Sequence, residues 1–454
     1  MVGTRDRRHS RRHLLKAGVG ATAFGLGGGL ARATPAAARR AQADFDWRRY
    51  EGESINVLLA LSPRSELLVE YQPEFEELTG ITVTADVVPE QQQRQKQIIE
   101  FTSGNPSFDV TAVSWHVQKG LFGRGGFLLD LREFLDDPEM TAADYDLADF
   151  SPAAMAFATQ ADGRMDTLPY NIDYWILYWN TELFEQAGVE FPETLEETLA
   201  AAEALHDPTN GVYGFVARGL KNANVPVWTS FMQGWEAMPI DDQGQLQTTT
   251  EAAVAAATIY QELLASYAPP GVSGFNWNEC QTTFGQGTAA MWFDGIGFAT
   301  PLEDPEQSRV VGMVGYGLQP AGPDARHSGT FGDGLGISAG SDKHGPAYFY
   351  SQWATNKQNQ ARVLAAGAGA PARTSAYTDP EALESLTVPQ GWVDTLIASG
   401  EIGLPSLPQI VPVTEFRDIF GIALTNMITG ADPAQELTRA TEEFQPILDQ
   451  SLAS

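Results

Sequence analysis

This chain has little of what most specialised chemistry needs. Its 454 residues include one cysteine, Cys280. That excludes an internal disulfide and any cysteine-based zinc site, and a lone Cys280 is expected to be buried and inert. Lysine is scarce: beyond residue 43 only Lys96, Lys119, Lys221, Lys343 and Lys357 remain. The histidines past the same point, His116, His206, His327 and His344, stand isolated with no HExxH spacing, so no metal is expected. Gly332-Asp333-Gly334-Leu335-Gly336 lacks the GxGxxG spacing and strand-to-helix setting of a nucleotide loop, and no cofactor is expected. No spacing fixes two carboxylates across a cleft, so glycosidase chemistry has no positive signal. No fixed-period repeat and no long Pro/Gly/Ser linker divide the chain. The apolar stretch Ala17 to Ala33 is too short and too rich in Gly and Ala to span a membrane, and no other run of that length exists.

What is present begins with an export signal. Ser10-Arg11-Arg12-His13-Leu14-Leu15-Lys16 has twin-arginine form, the mild apolar stretch follows, and Ala41-Gln42-Ala43 offers a cleavage site before Asp44, with Ala31-Arg32-Ala33 as a rival. Residues 1–43 are therefore expected to be removed, leaving a soluble periplasmic chain with no lipid anchor. The formal charge is −30, and the leader contributes +8, so the remainder stands near −38. Such a field repels nucleic acid and anionic membranes, and no nucleic acid partner is expected. A saline habitat would favour the same acidic surface. The 411 residues after Ala43 exceed one ordinary core and fit two domains.

The mature N-terminus alternates strand and helix. Ser54–Leu61, Ile81–Val87 and Phe108–Val113 read as strands; Ser65–Leu78 and Glu90–Thr102 read as helices, the first kinked or restarted at Pro73 and closed by Gly80. This β-α-β-α-β order implies a mainly parallel sheet with helices on both faces, and ligands of such sheets sit beyond the carboxyl ends of the strands. Trp115 and His116 follow the third strand directly. Residues 168–188, LPYNIDYWILYWNTELFEQAG, pack aromatics around Asn171 and Asp173, a mixture of flat faces and hydrogen-bonding edges suited to hydroxyls. The run reads as a strand, Asp173–Tyr178, then a helix capped by Asn180 and closed by Gly188. Further helices are expected at Pro192–Leu205, Glu251–Ser266, Gly345–Gln358, Asp379–Leu386, Trp392–Ser399 and Pro433–Leu452.

Five segments in order resemble the family 1 extracellular solute-binding proteins, the sugar-capturing subunits of ABC importers: Phe75–Val83; Asp109-Val110 with Trp115 and Gly126–Leu131; Leu177–Phe184 with Ala187-Gly188 and Pro192-Glu193-Thr194; Phe284–Met291; and Gly334–Ser338 with Trp353. The resemblance covers most of 50–450. It implies a two-lobed periplasmic-binding-protein type II fold of the α/β class, each lobe a mainly parallel sheet flanked by helices. It places the N-terminal lobe at 44–168 and 314–357 and the C-terminal lobe at 169–313 and 358–454. It implies capture of a neutral carbohydrate or polyol between hinged lobes, delivery to the ABC permease transmembrane subunits, and no catalysis. A monomer is expected. The Ala-Pro-Pro-Gly-Val run at 268–272 and Asp294 resemble the polyol and short-sugar members. Trp179, where the family usually has Tyr, and Phe331-Gly332-Asp333-Gly334, where a Gly-Gly pair is commoner, depart from the pattern.

Within that frame Trp115, Tyr170 and Tyr174 are candidate ligand faces, against a packing alternative for each. His116, Asn171 and Asp173 are candidate polar contacts, whose alternative is a loop, cap or hinge hydrogen bond. Trp277 and Asp294 flank the Phe284–Met291 segment, and Asp294 would accept two hydroxyl hydrogens. Trp228 and Gln233 lie among helices, where packing is the commoner role. Asp333 sits among glycines that let backbone approach a ligand or make a tight turn. Arg373 would fork onto hydroxyls or bridge the lobes. Tyr178, Trp179 and Phe184 read as core. The rival readings are the same fold holding a carboxylate, polyamine or iron, and a secreted carbohydrate-active enzyme.

Overall fold

Strand β1 (Ser54–Ala60) alternates exposed and buried positions before burying Val57, Leu58 and Leu59 together. Helix α1 (Pro63–Thr79) starts where the Ser62 side chain accepts the Ser65 N–H and ends at Gly80, whose φ of 72° suits glycine. Pro73 stands exposed inside α1, and the helix runs through it without the restart its sequence allows. β2 (Thr82–Val88), α2 (Glu90–Ser103), β3 (Val110–Ser114) and α3 (Trp115–Gly125) follow, and β1 pairs in parallel with both β2 and β3. The expected β-α-β-α-β unit is present. The computed structural model describes residues 45–241 and 243–453; the twin-arginine segment lies outside the described residues.

The rest of the sheet departs from parallel pairing. β7 (Ser328–Ile337), β4 (Leu168–Asn180) and β5 (Met291–Gly295) complete its main path, with β6 (Val314–Leu318) and short β8 (Ala370–Pro371) paired to β4 and β9 (Gly403–Pro405) to β7. β7 runs antiparallel between β3 and β4, because the chain re-enters the first sheet from the opposite end. β4 is longer than the segment 173–178 read from sequence, at 13 residues. Its first half, Leu168 to Tyr174, pairs with β7, while Trp175 to Asn180 pairs with β5 and β6. One strand thus belongs to two sheets and changes partners at Tyr174/Trp175. β6 forms its ladder with the distal half of β4.

β4 is buried along nearly its whole length, with both faces covered. Tyr178 stacks on Trp292 at 4.5 Å between ring centroids, and Phe184 closes on Trp179 at 5.0 Å, so these aromatics are core as expected. The sequence expected one helix over 345–358; the chain forms two, His344–Ala354 and Lys357–Ala365, divided where Asn356 caps the second. An unanticipated helix, α4 (Val413–Ile428), packs Phe416 and Phe420 against Phe444 of α5 (Pro433–Ala453), at 5.3 and 6.2 Å.

Candidate functional site

The turn after β1, the start of α2 and the β3–α3 junction converge with β4 and β7 on a small cavity of about 80 Å³, partly open to solvent. It lies beyond the carboxyl ends of β1 and β3, where parallel units place ligands. α1 brings Arg64, α2 brings Glu90 and Arg94, and the start of α3 brings His116. The proximal half of β4 supplies Tyr170 and its partner-changing point supplies Trp175; β7 supplies Phe331 and Asp333. Arg218, Trp277 and Phe298 line the facing side, and Arg417 reaches in from α4.

Aromatic faces form much of the wall. Trp277 stacks on Phe298 at 4.8 Å and 6°, and His116 meets the Phe331 ring edge-on at 5.5 Å. The Arg218 guanidinium lies 4.9 Å over the Trp175 ring. Polar anchors are held from behind. Arg64 ion-pairs with Asp333, which also accepts from Ser114 Oγ at 2.9 Å. Tyr170 donates its hydroxyl to the Arg64 carbonyl at 2.7 Å. Arg218 Nε contacts both oxygens of Asp294 at 3.0 and 3.1 Å, and Trp292 Nε1 donates to the same carboxylate at 3.2 Å. Arg94 ion-pairs with Glu90 and donates to Ser114 Oγ at 3.2 Å.

Several buried polar atoms on lining residues have no hydrogen-bond partner: Arg94 Nε and Nη1, His116 Nδ1, Trp175 Nε1 and Ser406 Oγ. Buried polar atoms are ordinarily satisfied, and a wall that leaves so many open is one built for a hydrogen-bonding occupant. Burial, and then the Arg94, Arg417 and Arg218 charges, hold His116 well below its ordinary pKa, so it is neutral at pH 7. Burial would raise Glu90, but Arg94, Arg218 and Arg417 outweigh it and keep the carboxylate ionised. Burial, reinforced by Arg94, brings Arg417 down to about 9. Asp173 is pushed up to about 7 by burial, against the pull of Arg64.

Of the residues singled out in the sequence, His116, Tyr170, Trp277 and Asp333 line the cavity. Asp294 stands behind it, fully buried under Arg218. Asn171 and Asp173 are buried in β4 beside the lining; both polar side-chain atoms of Asn171 and Oδ2 of Asp173 are unpartnered, while Asp173 Oδ1 accepts from Gly297 N–H at 3.1 Å. The remaining candidates are not among the lining residues. Trp115 stacks on Phe157 at 5.6 Å and donates Nε1 to Thr167 Oγ1 at 2.9 Å. Tyr174 packs towards Gly400 and Gly403. Trp228 donates to the Ala253 carbonyl at 3.0 Å and stacks on Phe420, and Gln233 donates to the Pro405 carbonyl at 2.9 Å. Arg373 is sandwiched between Tyr145 and Phe150 and donates to the Thr355 and Asp146 carbonyls at 2.7 and 2.9 Å, a packing role in place of ligand contact.

Sequence reasoning missed Arg64, Arg94, Arg218 and Arg417. A signal existed for Arg64, because the same strand-end rule that picks out Trp115 and His116 applies to the turn after β1. Among the described residues no group of three or more His, Cys, Asp or Glu side chains is placed to hold a metal, and no helix is long and apolar enough to cross a membrane.

The profile of the bacterial extracellular solute-binding proteins matches residues 62–361. The chain belongs to this family. Among its relatives is the erythritol/L-threitol-binding protein of Mycolicibacterium smegmatis, 26% identical over 95% of each chain. A probable amino-acid ABC transporter periplasmic-binding protein of Sinorhizobium fredii is 28% identical over 82% of this chain and 84% of its own. Among solved structures, an ABC transporter solute-binding protein of Agrobacterium radiobacter in complex with ribitol superposes with a TM-score of 0.80 at 26% identity, covering 87% of this chain and 99% of that one. The fold is the two-lobed α/β architecture of the periplasmic binding proteins. In this solute-binding protein the cavity stands at the point where one strand passes from sheet to sheet.

Proposed function

We propose that this solute-binding protein is exported by the twin-arginine route to the periplasm, captures a polyol or short sugar in the cavity between its sheets, and hands it to an ABC permease. The observation that carries the reading is the convergence on one cavity of aromatic faces (Trp175, Trp277, Phe298, Phe331) with partnerless donors and acceptors. Aromatic faces suit C–H surfaces, and the open polar atoms suit hydroxyls. The relatives that bind erythritol, threitol and ribitol support the same class.

Capture requires only that the ligand favour the closed arrangement over the open one. The pairing of β4 supports a first lobe formed around β1–β3 and β7, and a second formed around β5 and β6. The protein acts as a monomeric carrier without turnover. Titration calorimetry with polyols, monosaccharides and amino acids tests the proposal. At least one polyol or sugar is expected to bind at about 1 μM or tighter, near −8 kcal/mol. Tight binding of an amino acid with none of the hydroxylated compounds, the reading that the Sinorhizobium relative favours, would overturn it.

A further inference from the structure

The guanidinium groups of the cavity outnumber the carboxylates that answer them. Arg64 pairs with Asp333, Arg218 with Asp294 and Arg94 with Glu90. Arg417 forms no ion pair among the described residues; its Nε donates to the Asn222 carbonyl at 3.1 Å. The nearby Asp418 is engaged with Lys221 at 2.9 Å. Arg94 is 7% exposed, with Nε and Nη1 buried and without a hydrogen-bond partner, and Arg417 is 8% exposed. Both line the cavity.

These two groups reach the same space from distant parts of the chain, α2 and α4. Like charges brought together in a dry site oppose each other and oppose closure around them. A neutral polyol can accept their N–H donors, but it leaves the excess charge in place. A carboxylate accepts parallel N–H···O bonds and removes that charge as well. Closure around an anion is then more favourable than closure around the parent polyol, which is the differential affinity that capture needs.

We propose that the ligand carries one carboxylate on a hydroxylated chain, as in an aldonic or uronic acid, and that Arg94 and Arg417 hold the carboxylate while the aromatic walls and the Arg64–Asp333 pair hold the hydroxylated part. This rests on the hydroxylated-ligand reading above and narrows its class. Glu90 and Asp333 select against a second charge on the ligand, and a phosphate monoester would bring one.

Titration calorimetry on the exported protein compares each acid with its neutral parent: erythronate with erythritol, ribonate with ribitol, gluconate with glucitol, glucuronate with glucose. Glucose 6-phosphate and acetate complete the panel. At least one acid is expected to bind about tenfold or more tightly than its parent, with the preference shrinking as salt rises. Arg94→Gln and Arg417→Gln are each expected to pull that acid-to-parent ratio towards one. Equal or tighter binding of the neutral parents overturns the carboxylate while leaving the polyol reading intact. A phosphate ester tighter than every acid, or acetate as tight as the hydroxylated acids, also overturns it. No binding by any hydroxylated compound overturns both. If neither variant folds, the ratios of the unaltered protein decide.

Discussion

Arg373 and Asp173 are both buried and charged by type, and they spend that burial differently. Arg373 gives Nε and Nη1 to backbone carbonyls, with Asp149 at 3.4 Å, and lies between two aromatic faces, while its Nη2 is buried without a hydrogen-bond partner. Arg373→Ala removes those contacts and leaves the carbonyls open. Denaturant unfolding is expected to show a loss of about 3 kcal/mol. Ligand affinity of the folded fraction is expected to stay unchanged, since the side chain is not among the lining residues; a parallel collapse in affinity would return Arg373 to the site. Asp173 is a carboxyl whose folded pKa is raised to about 7 by burial. Between about pH 4 and pH 7 the folded protein keeps a proton that the unfolded chain has released, so this group's contribution is fullest at low pH and declines as pH climbs to 7. Asp173→Asn is therefore expected to gain stability over the parent between pH 5 and pH 8, by on the order of 2 kcal/mol. Parallel melting profiles across that range would refute it.

At the scale of elements, the sequence made the β-α-β-α-β unit readable because its signals are local: Gly80 closes α1 and the alternation of β2 follows at once. Asn180 and Gly188 were readable for the same reason, while the next helix begins at Leu195, after the Thr194 cap, and not at Pro192. The full length of β4 was not, because Leu168–Ile172 is buried by strands distant in sequence and carries no alternation of its own. α4 bears Phe416, Ile419, Phe420, Ala423 and Met427 at helical spacing, so a local signal existed for this helix although the sequence reading did not include it. What no local pattern conveys is that its Arg417 meets Arg94, roughly three hundred residues earlier, in one cavity. Four of the twelve residues singled out as ligand contacts line that cavity, and the reason is orientation. Trp115 stands at the right strand end but turns onto Phe157, whereas its neighbour His116 faces the space. Pro73 offers a test at this scale. It is exposed in α1 and denies that helix a backbone donor. Pro73→Ala is expected to raise stability by about 1 kcal/mol or more, read from denaturant midpoints; an unchanged or lower midpoint would mean that the helix accommodates Pro73 at no cost.

At the scale of the molecule, charge is distributed unevenly. The chain as a whole carries −30, yet the cavity gathers four arginines among its described lining residues. Self-repulsion of the acidic exterior is screened by salt. Melting temperature is expected to rise between 0.1 M and 2 M sodium chloride, and a flat response would show that the acidic surface places no strain on the fold. The strand shared by the two sheets has a mechanical consequence. β4 passes through the junction without a break, so it cannot fold like a slack loop without shedding ladder hydrogen bonds. The change of partners at Tyr174 and Trp175 is the point where β4 can bend or twist without shedding a ladder pair. Such a member works as a torsion bar: resistance grows with angle, the swing is bounded, and elastic recoil supplies part of the return stroke.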